Sequence, residues 1–171
     1  MFVPLWVIAV VVWATFAGSG AGEAVAASNA PLGYQIMCLK TPSECRGGGA
    51  ERVEATPDLL ATLQKVNDWV NRSIKPQNDE GADSWDANAT VGDCEDYVLV
   101  KRRRLIKAGI PPSALRIAFV ETRSGVGPAV LVVNTTREQY ALDNLTRTIK
   151  PLKQTGYRVV SMQTANPAKW R

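Results

Sequence analysis

Gly92-Asp93-Cys94-Glu95-Asp96-Tyr97 decides how the chain reads, because it sets a cysteine in the first turn of a predicted helix. That helix runs from about Asp93 to Ala108 and stops at Gly109, with Pro111-Pro112 beyond it. Asp93 stands at the capping position. Backbone N–H groups in a first helical turn lack partners and the dipole there favours negative charge, so both lower the pKa of a thiol at Cys94. The carboxylates of Asp93, Glu95 and Asp96 act in the opposite sense. A thiol nucleophile also needs a base or ion-pair partner. Spacing leaves a second reading open: Cys94, Val98 and Leu105 share one helical face, so Cys94 serves equally well as a buried core thiol.

Upstream, residues 77–92 are polar and turn-rich, with Asp79, Glu80, Asp83, Asp86 and an isolated Trp85. Before them, Thr56-Pro57-Asp58 is a helix start, and Leu59, Leu63, Val66, Val70 and Ile74 recur at helical spacing until Pro76 ends the pattern. Residues 28–55 read as loop, with Pro31, Pro42 and Gly47-Gly48-Gly49. Downstream the period changes. Leu115 to Thr122 predicts a strand, Ser124-Gly125-Val126-Gly127 a turn, and Ala129 to Thr135 a central strand covered on both faces. Gln139 to Asp143 and Arg158 to Met162 predict two shorter strands. Helices first and hairpin-connected strands after them imply an α+β domain, N-terminal helices packed on an antiparallel sheet. Neither glycine cluster lies between a strand and a helix, which excludes a nucleotide-binding loop.

Phe2 to Phe16 is almost unbroken apolar sequence, and small residues follow through Ala24-Val25-Ala26-Ala27. Residues 1–27 therefore read as a signal peptide or an N-terminal anchor, and residues 28–171 as one domain. The apolar run is shorter than the ~20 residues of a membrane span, and no Lys or Arg precedes it. A membrane partner is expected only if this segment stays as an anchor; otherwise the domain is periplasmic or secreted. A net charge of +4 needs no nucleic-acid partner, and none is expected. The densest basic run, Lys101-Arg102-Arg103-Arg104, wraps the whole circumference of a helix rather than forming a stripe. It lies in the second half of that helix, where cations complement the macrodipole.

Three cysteines in an oxidising compartment leave one odd thiol. Cys38 and Cys45 flank Thr41-Pro42 and precede the glycine run, a loop able to bring two alpha carbons to disulfide distance. Their pairing leaves Cys94 free. The alternative is three reduced thiols in a cytoplasmic protein.

The segment Gly92 to Tyr97, the following Lys101-Arg102, the run Ala129-Val130-Leu131-Val132-Val133 and Leu142-Asp143-Asn144 together resemble the bacterial transglutaminase-like cysteine peptidases. So do Val66-Asn67 and Val70-Asn71 on the first predicted helix, Trp85, and the Cys38/Cys45 pair. The likeness spans roughly residues 31 to 163 and holds in order as well as content. It implies a papain-like, transglutaminase-type α+β fold, with Cys94 at the nucleophile position and Asp143 orienting an imidazole. The family's histidine directly precedes the apolar strand. Here that stretch is Gly127-Pro128-Ala129-Val130, so Pro128 stands at the histidine position, and the chain contains no histidine at all. Proline has no titratable group and no backbone donor.

The resemblance thus implies an exported family member that is catalytically impaired and binds peptide or protein in the cell envelope. Two alternatives stand beside it: an active periplasmic cysteine endopeptidase acting on a surface protein, with Pro128 a sequence error or recent change, and a purely structural exported domain. One family branch, the periplasmic proteases that release biofilm adhesins, uses calcium held by acids flanking the cysteine. By that resemblance Asp93 and Glu95 are the implied calcium ligands, with further oxygens from the Asp79 to Asp86 loop.

Overall fold

The computed structural model describes residues 30–81 and 83–171, so the leader expected over residues 1–27 lies outside the described residues. No helix among the described residues is long and apolar enough to cross a membrane. Three helices come first: α1 at Leu32–Lys40, α2 at Pro57–Ser73 and α3 at Cys94–Lys107. Between α2 and α3, β1 at Lys75–Pro76 pairs in parallel with β2 at Val91–Gly92. The main sheet follows: β3 at Leu115–Thr122, β4 at Gly125–Asn134, β5 at Gln139–Leu142, β6 at Lys150–Pro151 and β7 at Arg158–Met162. These run in the order β6-β5-β4-β3-β7, every pair antiparallel. The expected α+β architecture is the one found.

Helix α1 corrects the reading of residues 28–55 as loop. It is nine residues long and amphipathic only weakly, so periodicity does not reveal it. Packing holds it: Tyr34 meets Trp85 and Trp170 edge-on, and Cys38 is bonded to Cys45 with alpha carbons 5.6 Å apart. Gly33 permits the close approach, since a Cβ there would sit 2.6 Å from the Trp85 indole. Helix α2 forms as its signals direct, with Thr56 Oγ1 accepting from the Leu59 N–H at 3.1 Å and Pro57 at the first position.

Strand β4 is the centre. Ala129, Leu131 and Val133 join the core beneath the helices, while Val130 and Val132 pack on the other face with Ala118, Val120 and Met162. The strand begins at Gly125, four residues earlier than the apolar run suggests. Gly125 adopts φ +121, which lets the β3–β4 connection close through Arg123-Ser124; Val126 then pairs with Glu121 and Ala129 with Phe119, the register shifting between them around Gly127-Pro128.

The basic run on α3 divides in a way its composition does not show. Lys101 and Arg102 are buried, at 0% and 1% exposure. Arg102 donates to the carbonyls of Glu44 and Arg46, which ties the disulfide loop to α3. Arg103 binds the Glu44 carboxylate at 2.7 Å, and Arg104 stacks on Trp69. Burial of two cations is a tertiary outcome that a polar residue pattern conceals.

Candidate active site

Asp93 caps α3 and Cys94 opens it. The local fold is enforced by Asp96, whose carboxylate accepts from the Asp93 N–H at 3.3 Å and the Asp86 N–H at 2.7 Å. This carboxylate fills the space beside Gly92, where any Cβ would collide with it. Burial pushes the Asp96 pKa up to about 6, against the two backbone donors.

Cys94 is partly buried and free, as the disulfide pairing requires. Its thiol donates to Glu95 Oε2 at 2.8 Å. Burial, then that hydrogen bond, pushes the thiol up to about 12; the Ala129 backbone N–H, from the middle of β4, opposes them. Burial also raises the Glu95 carboxyl, while its bond to the Cys94 thiol lowers it. The helix N-terminus therefore does not prevail: desolvation and the adjacent acids outweigh the dipole, and the sulfur is a thiol at neutral pH.

Strand β4 carries Pro128 immediately before Ala129, whose N–H faces the sulfur, so the segment expected to supply a base borders Cys94. Asp143, at the end of β5, is buried at 4% exposure. Its Oδ1 accepts from the Leu145 N–H at 2.6 Å and its Oδ2 from the Tyr157 hydroxyl. Burial, then this carboxylate, raises the Tyr157 pKa. From α2, Asn71 donates to the carbonyls of Asp143 and Thr146, and Asn67 to those of Thr146 and Arg147, so the paired asparagines pin the loop after β5. Lys101 on α3 is buried, and burial lowers its pKa to about 7 against the attraction of the Asp143 charge. Its Nζ has no hydrogen-bond partner among the described residues. The Tyr157 partnership with Asp143 has no signal in the sequence, because nothing local encodes a contact between residues fourteen apart.

The acidic residues separate into two groups. One carboxylate oxygen from each of Asp79, Asp83 and Asp93 lies within 4.8 Å of the others. Asp93 Oδ1 is shielded from solvent and lacks a hydrogen-bond partner among the described residues. Three converging carboxylates and an orphaned oxygen suit a hard cation such as calcium. Glu95, expected beside Asp93 in a ligand set, is not in this group: its carboxylate turns to the Cys94 thiol. The loop supplies Asp79 and Asp83 because Ser84 N–H and Trp85 Nε1–H bond their carboxylates and fold the turn inward.

No curated protein matches the chain. Among solved structures, calcium-bound LapG of Legionella pneumophila superposes with a TM-score of 0.57 at 25% identity, over 66% of this chain and 68% of that one. The EGTA-treated form of the same protein gives 0.55 at 24% identity over 66% of each chain. A third LapG structure gives 0.54, also at 24% and 66% of each. A profile described as bacterial transglutaminase-like cysteine proteinase, BTLCP, matches residues 24–171. A cysteine opening α3 against the central strand β4, on this sheet and within this profile, places the chain in one family: it belongs to the bacterial transglutaminase-like cysteine proteinases.

Proposed function

We propose that this chain is an exported member of the family in which thiol catalysis is disarmed and peptide or protein binding in the cell envelope is kept. The observation that carries the reading is the state of Cys94: its thiol is held by a carboxylate rather than by a base, and its pKa lies at about 12. No imidazole exists in the chain to change this, and Pro128 stands where the family motif has its histidine. General-base assistance contributes ~10²–10⁴-fold to reactions of this kind, and its loss is compounded by the loss of thiolate. Export rests on the apolar leader and on the bonded Cys38–Cys45 pair, which is a feature of oxidising compartments.

Calcium is part of the proposal. Asp79, Asp83 and Asp93 would hold it, and it would supply charge neutralisation where three carboxylates converge. LapG, a structural relative, has a calcium-bound form.

A second reading, a recently disarmed endopeptidase, is favoured by the Ala129 N–H that faces the sulfur and by the buried Asp143. One experiment tests both. Cys94 is alkylated with iodoacetamide across pH in the full chain and in Pro128→His. If the parent labels only far above neutral pH, the disarmed reading stands; labelling of the parent below pH 8 would overturn it. A sharp drop in apparent thiol pKa for Pro128→His supports recent loss, and unchanged labelling supports an older one.

A further inference from the structure

The far half of α3 and the C-terminal part of α2 enclose a cavity of about 250 Å³. It lies ten residues along the helix from Cys94, ~15 Å at ~1.5 Å per residue, and shares no lining residue with the thiol site. Arg104 and Lys107, both exposed, stand one turn apart on its α3 wall. Trp69 from α2 forms the facing wall, and the Arg104 guanidinium lies 3.3 Å from the Trp69 ring centroid. Ser73, Asn88 and Thr90 add neutral hydrogen-bonding groups. Arg103, the third cation of this wall, is already neutralised by Glu44. No carboxylate lines the cavity among the described residues, so the charges of Arg104 and Lys107 are uncompensated there.

We propose that this cavity is an exosite for an acidic peptide segment, with an Asp or Glu side chain of the segment seated between Arg104 and Lys107. Stacking on Trp69 holds one face of the guanidinium and leaves its N–H edge free, which is the geometry that meets a carboxylate bidentately. A carboxylate fits better than a phosphate dianion for two reasons. Phosphate sites are built on helix N-termini, and this cavity lies at the C-terminal half of α3, where the dipole opposes added negative charge. Ala87, Ala89 and Val100 also make part of the lining apolar, which suits the methylene stem of a side chain. The segment needs no turnover at Cys94 to bind.

The test is fluorescence anisotropy with a dye-labelled decapeptide of alternating Glu and Gly, titrated with the full chain. A Gln/Gly decapeptide is the neutral control and inorganic phosphate the competing anion. Arg104→Gln/Lys107→Gln is expected to weaken binding at least tenfold, while Lys40→Gln/Lys169→Gln, which removes the same charge elsewhere, stays within about twofold. Arg104→Lys keeps charge and fold but not the planar fork, and is expected to fall between them. Equal weakening by both double variants would reduce the effect to diffuse electrostatics and overturn the site. So would binding of the Gln/Gly peptide with equal affinity, absence of saturable binding, or displacement by phosphate at lower concentration than by free glutamate.

Discussion

The Tyr157 hydroxyl donates to Oδ2 of Asp143, the carboxylate that the family resemblance assigns to orienting an imidazole. With Leu145 N–H on Oδ1, Asp143 is satisfied inside the protein without any histidine. A buried carboxylate stripped of its partner would cost about 1–3 kcal/mol or more. Tyr157 and Leu145 remove that cost in a chain without histidine.

Supplying a base at position 128 should therefore be only partly effective. Pro128→His is expected to lower the apparent pKa of Cys94 from about 12, and Pro128→His/Tyr157→Phe to lower it further, because the second change releases Asp143 to the new imidazole. Iodoacetamide labelling rates against pH check this. A double variant no more reactive than the single one would show that Tyr157 does not compete for Asp143.

Glu95→Gln removes one acid from the thiol but none of its burial. Since burial is the larger cause, the Cys94 pKa should fall but remain above its ordinary value of 9.0. The same labelling profile reads it, and a fall to neutral pH would mean that the carboxylate, not desolvation, holds the proton.

Lys101 makes stability depend on pH in a window of its own. Its folded value, about 7, lies below the ordinary 10.5, so between these values the unfolded chain binds the extra proton and stability rises with pH. Above pH 9 the raised thiol of Cys94 acts in the opposite direction, and the raised carboxyls of Asp96, about 6, and Glu95, about 7, titrate below the window and at its lower edge. Chemical denaturation should thus show increasing stability from pH 7 to 9. Lys101→Met should flatten that slope and be the more stable protein at pH 6, because it removes a buried charge.

Calcium should raise the thermal midpoint of the parent by several degrees at saturating concentration, a gain of about 2.7 kcal/mol at a hundredfold excess over Kd. Asp79→Asn/Asp83→Asn should abolish the increase and leave the metal-free midpoint unchanged or higher, since like charges are removed. Glu95→Gln should keep it, as that carboxylate faces the thiol. Calorimetric scans with calcium and with EGTA distinguish these outcomes.

Much of the architecture is legible in the sequence. Helices α2 and α3 announce themselves through caps, apolar period and proline or glycine stops, and β3, β7 and the buried stretch of β4 through β-rich runs of strand length. These signals are local, a few residues deciding a backbone conformation. The order of elements then leaves few ways to bury the apolar faces, and motif order identified the family. The absence of histidine is likewise a property of the sequence alone.

What only the tertiary structure decided is long-range and electrostatic. Helix α1 exists because Trp85 and Trp170 cover Tyr34 and because Cys38 is bonded to Cys45. Asp93 joins Asp79 and Asp83 while Glu95 turns to Cys94, a division that neighbouring positions on one helix do not reveal. Lys101 lies buried and Arg104 open on a single run of four basic residues. The pKa of Cys94 depends on how much water the fold excludes from it, and desolvation belongs to the packed surroundings rather than to the residue.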